Sequence, residues 1–213
     1  PTGSGPDMRA GPHDSGQGWI ALSDRGILDP GATETLLDAG LFIVEFTLPL
    51  QDSVVLLNHQ SDIGWPRTFA LFHDVNAGLS LVHRQGNVVA RHILPGPVPQ
   101  GRGTARLTFR FDAPARCWAM EFETLGGDPA TRITAQGQNP LPLHSADVQA
   151  ICTQAAVDPS VLWFGLTRGA VPPAATAWIG LRTPVPPRRG VLAAGNLQPG
   201  DMILTADRGP VAL

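Results

Sequence analysis

Glu121 and Glu123 are the pair in this chain whose type and spacing best suit chemistry. On a β-strand, residues i and i+2 share a face about 7 Å apart. Two carboxylates flanking a glycosidic bond are the machinery of glycoside hydrolysis. The competing reading is an ion-paired outer face, because Arg106 and Arg110 stand on the facing run. We prefer the second, and nominate no catalytic residues. His73, His83 and His92 invite a metal reading. Folding 79–84 against 87–93 around Gln85-Gly86 sets His83 opposite Val88 and His92 opposite Leu79, about 13 Å apart. That is too far for one ion, so the expectation is solvated or core-rim histidines. Asp74 and Asn76 could hold calcium through a turn; an Asx-type turn before Gly78 explains them equally well. Asn58, His59, Gln60 and Asp62 share a polar stretch, 58–66, with Trp65. Read as a loop, it offers an aromatic platform beside hydrogen-bonding groups, which sugar binding requires. The alternative is a Trp65 tucked over a sheet edge. No Gly-rich phosphate loop opens a helix, and no Ser-His-Asp set can be nominated.

The elements that must position these residues are strands. The stretch GTARLTFRFD-APAR-CWAMEFET, from Gly103 to Thr124, alternates strictly on both sides of a four-residue turn. Phe111 then faces Trp118, Phe109 faces Met120 and Leu107 faces Phe122. On the other side Arg106 faces Glu123, and Arg110 lies diagonal to Glu121. A slip of one residue would destroy both sets, so the register is well specified. Further strands are read at Trp19–Leu22, Leu41–Leu48, Ser53–Leu57, Thr68–His73, Val161–Thr167 and Ala177–Leu181. Leu94 to Pro99 is a rigid connector. The stretch 128–142 reads as loop with at most one short strand. Ser145–Ala156 is the one helix candidate, with Ser145 as N-cap and Asp147 in the first turn. About nine strands with turns every eight to twelve residues predict an all-β, antiparallel sandwich with at most one short helix.

Composition agrees. The chain has 213 residues, 43% hydrophobic and 15% charged, which places it among globular proteins. Its 24 glycines and 21 prolines suit many short strands joined by turns. The net charge is −3 and all 15 basic residues are arginines, with Arg188-Arg189 the one adjacent pair. Without a basic stripe, nucleic acid is an unexpected partner. No apolar run approaches the ~18 residues of a membrane span. Cys117 and Cys152 allow one disulfide, but two cysteines make no framework, and unrelated thiols are the preferred reading. Residues 1–18 read as a flexible arm, with His13 and Asp14 as solvated tail residues. The chain is expected to be cut at both ends, so the lack of a leader says nothing against secretion.

The strand order resembles the concanavalin A-like jelly roll in its laminin-G-like form. The resemblance rests on GLFIVEFTL (40–48), SVVLLN (53–58) and the meander FALFHD, LSLVHR and NVVARHI. The hairpin RLTFRFD…CWAMEFE and the closing pair LWFGLTR (162–168) and AWIGLR (177–182) complete it. It spans residues 19–182. It implies two curved antiparallel sheets and a binding scaffold, often for glycans and sometimes with calcium on the rim. The family also holds hydrolases, whose string needs Glu, Asp and Glu on alternate positions; here Thr124-Leu125-Gly126 follow Glu123.

Residues 183–213 carry a second resemblance. LQPGDMILTADRG (197–209) is similar to the opening of a Hint (hedgehog/intein-type) domain. Pro199-Gly200 would make a tight turn and Met202–Leu204 a strand. No Cys, Ser or Thr in a fitting context precedes Thr183-Pro184, and the His block of that chemistry is not in the sequence given.

Three functions are therefore expected. The first is a non-catalytic binding or adhesion module on a secreted, cell-surface or particle-surface protein, contacting glycan or protein. The second is a structural subunit of a homo-oligomer or larger assembly, using apolar outer positions Ile43, Val82 and Val89. The third is the passenger of a Hint precursor. The working surface is expected in the loops around Asn58–Trp65 and Asp74–Asn76.

Overall fold

The alternation of Gly103–Asp112 and Cys117–Leu125 becomes the hairpin it predicts. In a computed structural model, Phe111 pairs with Trp118, Phe109 with Met120, Leu107 with Phe122 and Arg106 with Glu123. The structure describes residues 19–23, 26–27, 36–125, 131–168, 184–186, 191–198, 201–205 and 209–212.

In chain order the strands are β1 (Trp19–Leu22), β2 (Gly26–Ile27), β3 (Leu36–Leu37), β4 (Ala39–Leu48), β5 (Val54–Ser61), β6 (Arg67–Asp74), β7 (Gly78–Gln85) and β8 (Val88–Pro95). There follow β9 (Gly103–Asp112), β10 (Cys117–Leu125), β11 (Arg132–Gln138) and β12 (Leu143–His144), then helix α1 (Ser145–Gln154), β13 (Ala156–Val157) and β14 (Val161–Thr167). One sheet has seven strands in the order β11-β10-β9-β4-β14-β1-β2, the other five in the order β13-β5-β6-β7-β8. All pairings within them are antiparallel. The fold is an all-β sandwich with one short α-helix.

The core lies between the sheets. Phe42, Val44 and Phe46 of β4 and Leu107, Phe109 and Phe111 of β9 meet Phe69 and Leu71 of β6 and Leu79 and Leu81 of β7. Phe42 and Phe69 cross edge-to-face at 5.1 Å, so the two layers touch there. The larger sheet has a second apolar cluster of Trp19, Leu22, Leu41, Ile43, Leu162 and Trp163. This explains why β4 and β14 are buried on both faces. Ile43, expected at a partner contact, is only 2% exposed and belongs to that cluster.

Several expectations are corrected. The β7–β8 turn is Gly86-Asn87, with Gly86 at φ 60°, so His83 faces Ala90 and His92 faces Leu81. The shift of two residues keeps every side chain on its face, which is why alternation could not detect it. Both histidines are buried between the sheets, which overturns the solvated alternative and leaves the core-rim one. The weakly read 128–142 stretch contains a seven-residue strand, β11. The helix cap is His144, whose ring accepts from the Ala146 N–H, and Ser145 is the first helical residue. The two cysteines are free thiols, Cys117 exposed and Cys152 buried; burial pushes the Cys152 thiol up to about 12.

Near the end of the chain, β15 (Pro184–Val185) pairs with β16 (Leu192–Ala193) and β17 (Met202–Thr205) with β18 (Gly209–Ala212). The strand read at Met202–Leu204 is therefore present. Gln198 and Asp201 exchange bonds across the expected turn. Pro199-Gly200 itself and the strand read at Ala177–Leu181 lie outside the described residues, as do residues 1–18 with His13 and Asp14.

Candidate functional site

The polar stretch 58–66 is split by the pleat. β5 continues through it, pairing Asn58 with Ala70, His59 with Phe69, Gln60 with Thr68 and Ser61 with Arg67. Polar residues extend this strand because β6 supplies a backbone partner for each. His59 therefore points inward and is buried, while Asn58 and Gln60 point outward. Asp62 and Trp65 stand beyond the strand end, and Trp65 is 56% exposed. Asn58, His59 and Gln60 do not converge on one point, because they alternate between faces.

His59 belongs instead to an ionic tie beneath α1. Arg67 Nε lies 2.6 Å from Asp147 Oδ1, both largely buried. The oxygen sits off the N–H axis, so this is an ion pair and not a linear hydrogen bond. Burial lowers the His59 pKa, with Asp147 opposing and Arg67 assisting. These groups leave no room for a ligand. They fasten the helix to the five-stranded sheet.

The Asp74–Asn76 corner is an Asx-type turn. Asp74 Oδ1 accepts from the backbone N–H groups of Asn76 (2.9 Å) and Ala77 (2.8 Å). The Ala77 bond, then the Asn76 bond, holds the Asp74 carboxyl below its ordinary range. Calcium takes six to eight oxygens. One carboxylate committed to two amides, with Asn76 beside it, does not fit that requirement. Among the described residues no group of three or more His, Cys, Asp or Glu is arranged to hold a metal.

Among the described residues two concave surfaces stand out, and neither was found from the sequence. The first is a hollow of about 460 Å³ on the face of β9, β10 and β11. Cross-strand pairing aligns Thr108, Glu121 and Thr134 in one row and Arg110, Ala119 and Gln136 in the next. Ala119 is the small floor between long neighbours, and that difference in size makes the hollow. Glu121 is held by Arg132 at 2.5 Å, not by Arg110 as its diagonal position suggested. Glu123 is held by Arg106 at 3.4 Å. Among the described residues Arg110 has no ion-pair partner, so its guanidinium is available. The hollow thus presents hydroxyls, an amide, a guanidinium and a carboxylate on rigid strands.

The second is a cleft of about 500 Å³ at one side of the sandwich, between β8 and the ends of β9, β10 and β11. Arg116 and Asn139 stand on one wall, joined by Arg116 Nε to Asn139 Oδ1 at 3.0 Å and by Asn139 N–H to the Arg116 carbonyl at 3.0 Å. At its floor His92 lies between the rings of Phe109 (4.7 Å) and Trp118 (4.9 Å). Burial lowers the His92 pKa to about 4, and burial, then nearby His92, lowers that of His83 to about 4. Both are neutral rings at physiological pH.

No protein-family model matches this chain, and no curated protein matches it. Among the described residues no helix is long and apolar enough to cross a membrane.

Proposed function

We propose that this chain is a non-catalytic binding module that holds glycan on the outer face of its seven-stranded sheet. The observation that carries this reading is the Ala119 hollow. Sugar hydroxyls are at once donors and acceptors, and the hollow offers both kinds of partner, from Thr108, Arg110, Glu121, Thr134 and Gln136. Strand residues hold their rotamers and backbone positions better than loop residues, which lowers the ordering cost of binding. The two-sheet antiparallel architecture supports the concanavalin A-like resemblance, and with it a place on a secreted, cell-surface or particle-surface protein. A glycan array tests this: the reading expects a discrete set of bound sugars, and an array with none bound removes it.

A second reading, a structural subunit, is favoured by the outside of the five-stranded sheet. There Val55, Phe72 and Ile93 lie in one cross-strand row, with Val82 on the next row and Val89 on the one beyond it. Val55, Val89 and Ile93 are each more than 40% exposed. Light scattering tests it: a stable oligomer dispersed by Val89→Asp supports assembly, and a monomer at high concentration ends it. The β17–β18 hairpin at the Hint-like string keeps the passenger reading as a proposal; a gene lacking a downstream Cys- and His-bearing block would end that one.

A further inference from the structure

The side cleft is lined by five consecutive residues, Val88 to His92. Side chains of a strand alternate between faces, so a cleft touching five in a row runs along the strand's edge. β8 is indeed the last strand of its sheet, and no described strand pairs with its far side. Its outer N–H and C=O groups therefore face the cleft. Such an edge is a template for another strand.

The cleft is basic. Arg91 of β8 and Arg116 of the β9–β10 turn both line it, and none of its described lining residues is Asp or Glu, although the chain as a whole is acidic. Arg116 also occupies an unusual backbone state. It closes the β9–β10 turn at φ 55°, in the left-handed region. Glycine or asparagine is the ordinary occupant there, and a longer side chain is strained by its Cβ. Asn139, its hydrogen-bonded partner on the same wall, stands at φ 59°. These are the two non-glycine residues with positive φ among the described residues, and both face one cleft. Asparagine suits this state and arginine does not, so the strain sits on Arg116, on the wall of the cleft, and such strain is often found at binding sites.

We propose that this cleft takes an extended, carboxylate-bearing peptide segment, which adds to β8 as a sixth strand and sets its carboxylate against Arg116 and Arg91. Main-chain bonds to the edge supply affinity and the guanidinium groups supply selection, as in strand-addition recognition generally. A second copy of this chain is a poorer occupant, because edge-to-edge pairing would crowd four arginines into a cleft without acid. The site is separate from the Ala119 hollow and stands or falls without it.

The test pans a displayed random decapeptide library against the whole chain. Enriched sequences should be acid-bearing and rich in β-formers. A synthetic peptide made from them should slow amide exchange at Val88–His92 at least tenfold. Arg116→Gly removes the guanidinium while suiting the left-handed turn, so it should melt at or above the parent temperature yet weaken the peptide at least tenfold. The proposal is overturned by a panning with no enrichment, by Arg116→Gly binding as tightly as the parent, or by protection elsewhere. It is equally overturned if hexanoate alone binds as tightly as the peptide, or if the same amides are protected by self-association without peptide.

Discussion

Arg106 is the electrostatic hub of the larger sheet. It lies 2.6 Å from Glu45 and 3.4 Å from Glu123, and Glu45 also accepts from Trp163 Nε1 at 2.8 Å. The Glu45 side chain is 7% exposed and that of Arg106 34%. The two partners are therefore unequal. Removing the arginine strands a buried carboxylate, whereas neutralising the glutamate leaves a guanidinium that still reaches water and Glu123. Arg106→Met should cost about 3 kcal/mol and Glu45→Gln clearly less; urea unfolding reads the order, and the reverse order would refute the argument. The buried histidines give a second residue-scale expectation. His83 and His92 titrate at about 4 folded, against the ordinary 6.5. Below 6.5 the unfolded chain binds protons that the folded chain refuses. Stability is therefore full above about pH 6.5, falls as pH drops towards 4, and levels off below. The loss is on the order of 3 kcal/mol per histidine at most. Unfolding curves at pH 7 and 5 should converge in His92→Phe relative to the parent, and an unchanged difference would contradict the assignment.

At the scale of elements, what could be read from sequence depended on how strongly each strand alternates. The β9–β10 hairpin was legible because six large apolar residues and its charged outer residues agree on one register. β11 was not, because RITAQGQ faces the core with only Ile133, Ala135 and Gly137. Gly137 is small for a reason found across the ladder: it pairs with Trp118, and a Cβ there would stand 2.6 Å from the indole. Gly137→Val should displace the ring and cost about 2 kcal/mol in thermal or urea melts; a neutral substitution would show that the indole has somewhere else to go. The Asn58–Ser61 end of β5 was misread because polar residues in a strand resemble a loop until the partner strand is known. The β7–β8 turn slipped by two because a step of two is invisible to a period of two.

At the scale of the molecule, the antiparallel sandwich class and the core faces of the main strands were legible, while both concave surfaces were not. The Ala119 hollow needs three adjacent strands in register, and one of them was read only weakly and without bounds. The β8 cleft joins residues 88–92 to 116 and 139, which only the closed sandwich brings together. The working surface was expected in the loops, but the hairpin carries scaffold on its inner face and the candidate glycan surface on its outer one. The most direct test of that claim is calorimetric titration of one array-selected glycan into the parent and into Ala119→Trp. Position 119 is exposed, so the indole fills the hollow without entering the core. Ala119→Trp should associate at least tenfold more weakly, with an unchanged melting temperature. Equal affinity in the two proteins would place the sugar elsewhere and contradict it.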